Sequence, residues 1–329
     1  MVAMKAIVTG ANGFVGSHLV DRLTREGLRV VCLVRPSADL RWLGDLPVEI
    51  CACGLDSRDD LAAAVSGADY VFHVAGLTRG RTADQYMAAN AEPTGRLVEA
   101  ATRSAKSIRR FVYVSSLAAA GPNGGEAPLD ETSPPEPADD YGRSKLAAER
   151  IVMEAGGRMP VAIVRPPGVY GPRDTNFLPL FRAARRLGIV PAIGGGAIEV
   201  SLVHVADLAE GIWLAASSPA GVGGTYFIAS GTYTMADFAA AMASAMERRV
   251  RLVNVPRFLA VLAGELGEIR RALTGRPGIV SRRKVRDLLQ PRWTCSWEKA
   301  RREIGYRERI GLADGVRQTA AWYAAQGWI

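Results

Sequence analysis

Histidine and cysteine are scarce in this sequence, with three and four copies in 329 residues. His18, His73 and His204 share no metal-ligand spacing, and Cys51-Ala-Cys53 has no second cysteine or histidine pair beside it. So few cysteines in so long a chain do not form a disulfide framework. We therefore expect no metal, and we interpret the cysteines as small core residues in a reducing compartment.

Long apolar runs are also absent. The most apolar stretch, residues 252–269, is interrupted by a proline, an asparagine and charged side chains, so it falls short of the about 18 apolar residues that cross a bilayer. Only Lys5 precedes the first strand-like run, without the charged and apolar parts of a secretion signal. These features predict a cytoplasmic protein.

The composition favours a large folded core. Hydrophobic residues make up 48% of the chain and charged residues 22%, a balance typical of globular proteins and unlike that of disordered ones. Since about 100 to 200 residues per domain is usual, a chain of 329 residues is expected to form two lobes.

Positive charge is concentrated in one segment. Residues 265–310 hold thirteen Arg or Lys against six Asp or Glu, which is nearly all of the net charge of +8. The plainer interpretation is a solvated surface. The alternative is attraction of an anionic substrate, a carrier-linked acyl group or an acidic membrane surface. No nucleic-acid-binding motif accompanies the charge, so we expect no nucleic-acid partner.

Short apolar runs alternate with amphipathic stretches in the first half of the chain. The runs are rich in β-branched or aromatic residues, as buried parallel strands are, and they comprise residues 6–9, 30–34, 70–74, 111–114 and 161–164. Helical patterns lie between them, and residues 84–105 form the longest. This order predicts an α/β fold, a doubly wound parallel sheet over residues 1–171. Residues 203–230 are expected to return to the sheet, and residues 172–329 to build mainly a smaller substrate-binding lobe.

A glycine-rich turn follows the first predicted strand, with the spacing GxxGxxG rather than GxGxxG. Glycines let the backbone turn tightly and approach a pyrophosphate, whose charge is met by free N–H groups at the amino end of a helix. Between a strand and a helix, this turn predicts a Rossmann-type dinucleotide site. The alternative is the same turn with no ligand. The residues expected to contact the cofactor are Gly10, Asn12, Gly13, Phe14, Val15 and Gly16.

Arg35 stands nineteen residues after Gly16, where an NAD site usually has an acidic residue. A guanidinium suits the 2′-phosphate of NADP by its charge and its fork geometry. We therefore favour NADP(H) as the cofactor and keep NAD(H) as the alternative, in which Arg35 stacks on the adenine or faces solvent.

Tyr141 and Lys145 lie four residues apart, near the start of a helix predicted to follow a long surface loop at residues 121–139 that borders the site. Their side chains project from one helix face. Ser115 and Ser116 end the preceding strand, at the edge where open α/β sheets bind ligands. A tyrosine of pKa about 10 must lose about three units, worth about 4 kcal/mol, to act as a base at pH 7, and a nearby ammonium supplies part of that. The set predicts an oxidoreductase acting on a hydroxyl or carbonyl.

With these motifs, the sequence resembles the extended short-chain dehydrogenase/reductase superfamily, whose members include NAD-dependent epimerases and dehydratases. The match runs along nearly the whole chain, through TGANGFVG, HVAG, YVSS, YGRSK, RPPGVYGPRD and WEKARREIGY. The resemblance implies that Tyr141 is the acid/base and that Lys145 binds the nicotinamide ribose and lowers the tyrosine pKa. It implies that Ser116 hydrogen-bonds the reacting oxygen, with Ser115 as its substitute.

The resemblance also implies further cofactor contacts and a homodimer. The residues concerned are Val74, Ala75, Gly76, Ser115, Pro167 and Val169. Asn90 matches a structural asparagine of the family. Asp56 is out of step with the family's adenine-binding aspartate, so we expect no adenine contact from it.

The substrate positions depart from those of nucleotide-sugar enzymes. Those enzymes commonly have RxxN where this chain has residues 165–168, and an Arg-Asp pair where it has Val200 and Ser201. Valine cannot neutralise a diphosphate, and losing such a contact costs at least about 1.5 to 3 kcal/mol. We therefore expect hydride transfer to or from a secondary alcohol or ketone of a largely hydrophobic substrate, as in the dihydroflavonol-reductase-like and 3β-hydroxysteroid-dehydrogenase-like branches. The alternatives are a nucleotide-sugar epimerase or dehydratase, and a non-enzymatic dinucleotide sensor or assembly factor.

An apolar wall is expected around this substrate. Its candidate residues are Leu77, Tyr86, Phe177, Leu180 and Phe181, with Arg79 and Arg81 at the rim. The alternative for the two phenylalanines is the buried stripe of a helix. Residues 252–269 would then form an apolar flap, or a helix lying on a membrane surface.

Overall fold

The computed structural model describes residues 3–104, 106–193, 196–274, 290 and 292–329. The strands are β1 (Lys5–Thr9), β2 (Arg29–Leu33), β3 (Glu49–Cys51), β4 (Tyr70–His73), β5 (Arg110–Val114), β6 (Val161–Arg165), β7 (Gly168–Tyr170), β8 (Ile189–Ile193), β9 (Glu199–His204), β10 (Thr225–Phe227), β11 (Gly231–Tyr233), β12 (Arg251–Val255) and β13 (Arg292–Trp293). The α-helices are α1 (Phe14–Arg25), α2 (Arg58–Val65), α3 (Ala83–Tyr86), α4 (Glu92–Arg103), α5 (Leu117–Ala120), α6 (Asp140–Glu154), α7 (Leu178–Leu187), α8 (Val205–Ser217), α9 (Met235–Ala245), α10 (Arg257–Thr274), α11 (Glu298–Glu303) and α12 (Leu312–Ala325).

Seven parallel strands form the main sheet, in the order β10-β6-β5-β4-β1-β2-β3. Thr9 at the end of β1 lies beside Leu33 of β2 on one side and His73 of β4 on the other. The prediction of an α/β, doubly wound Rossmann sheet is therefore confirmed. Because all these strands run the same way, their carboxyl ends meet at one edge, where such sheets bind ligands.

Both faces of the sheet are covered by helices, which explains the nearly continuous apolar strands. One core contains Val8 of β1 with side chains of α1 and α8. The other contains Ile7 of β1 with side chains of α2, α4 and α6. Successive strand residues point to opposite faces, so one strand supplies both cores.

A smaller unit is built beside the sheet from later parts of the chain. β9 lies between β11 and β13 and also pairs with β7, while β12 and β8 form a separate parallel ribbon. An aromatic core joins α7, α9 and α12, in which the Phe181 ring contacts the rings of Phe238 and Tyr323. The basic segment predicted at residues 265–310 lies partly outside the described residues.

The long loop at residues 121–139 is tied to the segment that follows β13. Leu129 and Cys295 form a parallel bridge, and Asn123 exchanges two hydrogen bonds with Thr294, at 2.8 and 3.0 Å. These bonds explain how a loop without a helix or strand of its own keeps a fixed course.

Two elements differ from the sequence-based expectation. The strand β3 was not among the predicted runs, because it has three residues and both Glu49 and Ile50 are exposed. The long helical pattern is broken into α3, a π-helical turn at Met87–Ala91, and α4. Pro93 stands in the first turn of α4. Because proline donates no backbone hydrogen bond and its ring crowds the preceding turn, the helix cannot continue unbroken there.

Candidate functional site

The glycine turn between β1 and α1 packs on its own backbone. Gly10 has a φ of +67°, and a Cβ added there would lie 2.8 Å from the Cα of Ala75. A Cβ added at Gly16 would clash with the Gly10 carbonyl oxygen. The spacing of these glycines is therefore explained by close approach of the backbone, as the motif requires.

The amino end of α1 is open for an anion. Gly13 is its N-cap and supplies no side-chain acceptor, and the first turn contains no acidic residue. Gly13 is exposed, while Asn12, Phe14 and Val15 are partly exposed around it. Orphan N–H groups and the positive helix end at this place suit a phosphate.

A neutral network fixes the segment after β4 against this turn. Thr9 Oγ1 accepts a hydrogen bond from the backbone N–H of Ala75 at 3.2 Å and lies 2.7 Å from Nδ1 of His73. The Nε2 atom of His73 lies 2.8 Å from Thr94 Oγ1, whose hydrogen is donated to Asn90 O. His73 therefore donates from Nε2 and accepts at Nδ1. Burial, with the nearby Lys145 ammonium, lowers the pKa of His73 to about 3, so the ring is uncharged.

Asn90 joins that segment to the helix that carries Tyr141. Its Oδ1 accepts from the backbone N–H of Leu77 at 2.6 Å, and its Nδ2 donates to Ser144 Oγ at 2.9 Å. Ser144 Oγ in turn donates to the carbonyl of Tyr141. Asn90 thus joins the chain after β4 to the first turn of α6, in agreement with the structural role expected for it.

The helix α6 begins as the sequence predicts. Asp139 is its N-cap, and its Oδ1 accepts from the Gly142 N–H at 2.7 Å. Tyr141 is 9% exposed, and its ring packs edge-on against Tyr86 with the centroids 5.9 Å apart. A Cβ at Gly142 would clash with Ala118 O of α5, so α6 lies directly on the short helix that follows the strand-end serines.

Lys145 is buried one turn after Tyr141. Its Nζ donates to Val114 O at 2.8 Å and lies 4.6 Å from the centre of the Tyr113 ring. Burial lowers the pKa of Lys145 to about 8, and the Glu149 carboxylate opposes the shift. A Cβ added at Gly76 would lie 3.3 Å from this Nζ. Since Ala75 contacts Gly10, the segment of Val74, Ala75 and Gly76 connects the glycine turn to the Lys145 ammonium.

The two strand-end serines differ in their contacts. Ser116 is the N-cap of α5, and its Oγ accepts from the N–H of Ala118 at 3.1 Å. The Oγ of Ser115 is buried, and none of the described residues forms a hydrogen bond with it. A buried hydroxyl without a partner is costly. Ser115 Oγ can therefore form a hydrogen bond with a bound molecule. Ser116 Oγ already accepts one hydrogen bond, but its own hydrogen can still be donated to such a molecule.

The segment after β6 reaches the same edge of the sheet. Arg165 pairs with Glu149 of α6 through two buried hydrogen bonds of 2.9 and 2.6 Å, and Leu117 N donates to Pro166 O. Pro167 is buried and Val169 is partly exposed. The predicted cofactor residues Pro167 and Val169 thus follow directly on an anchored strand end.

Arg35 lies two residues beyond β2, at the edge that carries the glycine turn. It is exposed, and within the described parts of the chain its guanidinium has no hydrogen bond or ion pair. Arg41, in contrast, is hydrogen-bonded to Asp39. Asp56 is paired with Arg96 at 3.1 Å. Of these side chains, Arg35 is the one available to a phosphate.

The residues of the predicted apolar wall differ in their exposure. Phe181 is fully buried in the smaller unit, against Phe238 and Tyr323, so its assignment to the wall was wrong and the buried-stripe alternative holds for it. Its place on α7 points it away from the surface, whereas Leu77, Phe177 and Leu180 keep partial exposure. The Phe177 ring comes within 3.9 Å of a Cβ added at Gly168.

The expected rim is formed by exposed side chains. Arg79 and Arg81 are both exposed, and Arg79 donates to Asn176 Oδ1, immediately before Phe177. The loop after β4 and the loop before α7 therefore meet at this contact, above the carboxyl edge of the sheet.

Sequence reasoning missed Tyr113, Glu149 and the His73 network. Glu149 follows Lys145 by four residues, a helical spacing that could have indicated their interaction. The sequence around Tyr113 does not indicate a functional role, because an aromatic residue in a buried strand normally belongs to the hydrophobic core.

The residues present fit a dinucleotide. A glycine cradle that side chains would fill, an uncapped helix end, the buried Lys145 ammonium and the unpartnered Ser115 hydroxyl lie along one sheet edge. This arrangement suits a pyrophosphate at one end and a polar ring with its ribose at the other.

Comparison with known proteins gives consistent matches. A model of the NAD dependent epimerase/dehydratase family matches residues 6–229. A Caulobacter vibrioides protein named ceramide reductase is 34% identical over 323 residues, which are 98% of this chain and 95% of that protein. A Stigmatella aurantiaca protein, named 4-hydroxy-2-methyl-3-oxo-4-farnesyl-3,4-dihydroquinoline-1-oxide ketoreductase, is 32% identical over 319 residues, 95% of each chain. The crystal structure of gox2253 superposes with a TM-score of 0.82 at 28% identity, covering 98% of this chain and 99% of that one.

Proposed function

Because the chain belongs to the NAD-dependent epimerase/dehydratase family and is an NAD(P)-dependent oxidoreductase of the short-chain dehydrogenase/reductase type, we propose that it interconverts a ketone and a secondary alcohol on a long-chain, hydrophobic substrate. We further propose NADP(H) as its cofactor. The observation that carries the proposal is the buried Lys145 ammonium, one helical turn from Tyr141 and connected to the glycine turn through Ala75 and Gly76.

The chain's own groups account for the proton. In the direction of reduction, Tyr141 Oη gives its proton to the carbonyl oxygen of the substrate, and in oxidation the phenolate takes it back. Lys145 stabilises the phenolate by its positive charge. The hydroxyls of Ser116 and Ser115 hold the substrate oxygen in line. The nicotinamide ring, when bound, supplies or accepts the hydride.

The proposal of a hydrophobic substrate is supported by the surroundings of Val200. In a sugar-nucleotide enzyme, this position commonly carries the arginine that contacts the diphosphate. Val200 of β9 lies in register between Tyr233 of β11 and Trp293 of β13, so its neighbours are aromatic. Two relatives are named for a ceramide and for a farnesyl-substituted quinoline oxide, both of which contain long hydrocarbon chains. A buried polar diphosphate would be poorly matched by such walls.

The preference for NADP(H) is supported by Arg35. The Arg35 guanidinium is exposed just beyond β2 and has no counter-charge among the described residues, so it can bind a 2′-phosphate through two hydrogen bonds. Arg35→Asp should reverse the preference, lowering kcat/KM for NADPH by at least about tenfold while that for NADH is retained or raised. Equal kcat/KM values for NADPH in the two proteins would contradict it.

The reaction is tested by the loss of absorbance at 340 nm when NADPH is mixed with long-chain β-hydroxy or amido ketones in detergent. Tyr141→Phe should lower the rate by about 10² to 10⁴-fold, since it removes a positioned acid. Tyr70→Phe is the matched control, because Tyr70 begins β4 at the opposite edge of the sheet. Unchanged turnover in Tyr141→Phe would refute the assignment. Epimerisation of a UDP-sugar without net cofactor consumption would point to the nucleotide-sugar alternative.

A further inference from the structure

The helix α10 presents large apolar side chains to solvent. Of the thirteen large hydrophobic side chains that are exposed in the described part of the chain, six lie between residues 253 and 266. They are Val253, Phe258, Leu259, Val261, Leu262 and Leu266, which we call the apolar face. Phe258 is 69% exposed and Leu266 is 56% exposed. Single exposed hydrophobes are ordinary, but a contiguous set of this kind marks a binding surface.

The helix α10 differs from a normal surface helix, because it exposes its large apolar side chains instead of burying them. At 100° per residue, Phe258, Leu262 and Leu266 form one stripe and Leu259 and Val261 flank it. The opposite side carries small residues, and among the side chains of α10 that the structure describes, Ala260 and Gly264 are the buried ones. Burial of such small residues gains the helix little from its contact with the protein. Its large side chains are therefore available to a second surface.

The apolar face continues onto the ribbon that precedes α10. Val253 lies two residues after Arg251 in β12, so both point outward from the same side of the ribbon. Pro191 of β8 lies opposite Val253 in register and is exposed. The other side of the ribbon is packed, since Val190 and Ala192 are buried.

Exposed arginines occur in the segments that carry this surface and in those next to them. Residues 185–193 and 247–266 contain six arginines and two glutamates. All six arginines are exposed, and they are Arg185, Arg186, Arg248, Arg249, Arg251 and Arg257. Basic side chains beside exposed Phe and Leu are the signature of a helix that lies in the interface of an anionic bilayer.

We propose that the apolar face, with Arg251 and Arg257, binds the surface of a membrane that contains acidic phospholipid. Among the described residues, none of the helices combines the length and the apolarity needed to cross a bilayer, so α10 would lie along the surface. A second copy of the chain fits less well, because docking two arginine-rimmed faces would bring like charges together. An acidic lipid surface supplies both the hydrocarbon and the opposite charge.

The test is cosedimentation of the full chain with sucrose-loaded vesicles of phosphatidylglycerol and phosphatidylcholine, without substrate or cofactor. Wild type should bind, with at least about tenfold weaker binding to vesicles of phosphatidylcholine alone and at high salt. Phe258→Glu combined with Leu262→Glu should lower the partition coefficient at least about tenfold. Val222→Glu is the matched control, since Val222 is 56% exposed and lies outside the apolar face.

Several outcomes would overturn the proposal. Equal binding of wild type and the double variant, or no binding by wild type, would do so. A wild-type dimer that the double variant converts to monomer in sedimentation velocity would assign the face to a second copy instead. Turnover of a detergent-dispersed ketone by the double variant at the wild-type rate would show that its fold and site are intact. Because vesicle binding is measured without turnover, a failure to bind vesicles would not contradict the proposed reaction.

Discussion

The Lys145 ammonium lies 4.6 Å from the centre of the Tyr113 ring. It also donates a hydrogen bond of 2.8 Å to Val114 O, the last carbonyl of the strand that contains Tyr113. The Tyr113 ring is fully buried. Burial by itself favours the neutral amine, so the buried Lys145 ammonium keeps its proton only because such partners stabilise its charge. The partners of Lys145 therefore set the pH range in which it is charged.

The first prediction concerns the pH dependence of the wild-type enzyme. With a lowered pKa of about 8, Lys145 is charged below that pH and loses its proton as the pH rises through it. Ketone reduction should therefore show kcat/KM falling above about pH 8, because this parameter reports the free enzyme. Lys145→Arg should remove this limb, since guanidinium stays protonated. A flat wild-type profile to pH 10 would contradict the assignment.

Removal of the Tyr113 ring should move that limb. A cation over an aromatic face gains about 0.5 to 2 kcal/mol, and one pKa unit corresponds to about 1.4 kcal/mol. Tyr113→Leu should thus shift the alkaline limb of kcat/KM about 0.4 to 1.4 units toward lower pH. Tyr113→Phe keeps the ring and should leave the limb in place. The same shift in both variants would show that the ring face is not responsible.

The glycine turn gives a prediction that is read by ligand binding. Gly16→Ala places a Cβ against Gly10 O, so the turn must open and its N–H groups must move. The rise in Tm that NADP+ produces in wild type should disappear, because stabilisation by a ligand follows its affinity. Gly124→Ala is the control, since a Cβ there meets nothing within 4 Å. Equal ligand-induced shifts in the two variants would argue against this turn as the cofactor site.

Local patterns were sufficient to predict much of the fold and site. The glycine turn depends on residues within seven positions, and Tyr141 and Lys145 depend on one helical turn. Their spacing determines their geometry wherever the helix lies. The parallel sheet followed from alternating strands and helices for the same reason.

The remainder depends on contacts between distant segments. The sequence around Phe181 does not distinguish a residue of a pocket wall from one in the buried stripe of a helix. Its contacts with Phe238 and Tyr323, which lie far away in the chain, show that it is packed in the core. The outward face of α10 was ambiguous because its apolar residues predict burial, and Ala260 and Gly264 occupy the buried side instead. The tie between Asn123 and Thr294 joins residues 171 positions apart, beyond any periodic pattern.

The buried pair of Arg165 and Glu149 gives the last prediction. Its two hydrogen bonds anchor β6 to α6, and both side chains are less than a tenth exposed. Glu149→Gln leaves the Arg165 guanidinium buried without its counter-charge, so the free energy of unfolding in urea should fall by about 3 to 5 kcal/mol.

Replacing both members by apolar side chains of similar size, Glu149→Leu with Arg165→Met, should recover most of that loss, because neither position then leaves a buried charge without its partner. The exposed pair of Glu99 and Arg103 is the control, where Glu99→Gln should change stability by less than about 1 kcal/mol. Glu149→Gln should also move the alkaline limb of kcat/KM to lower pH, since the Glu149 carboxylate raises the pKa of Lys145. A loss of stability without that shift would show that Glu149 supports the helix but does not act on the ammonium.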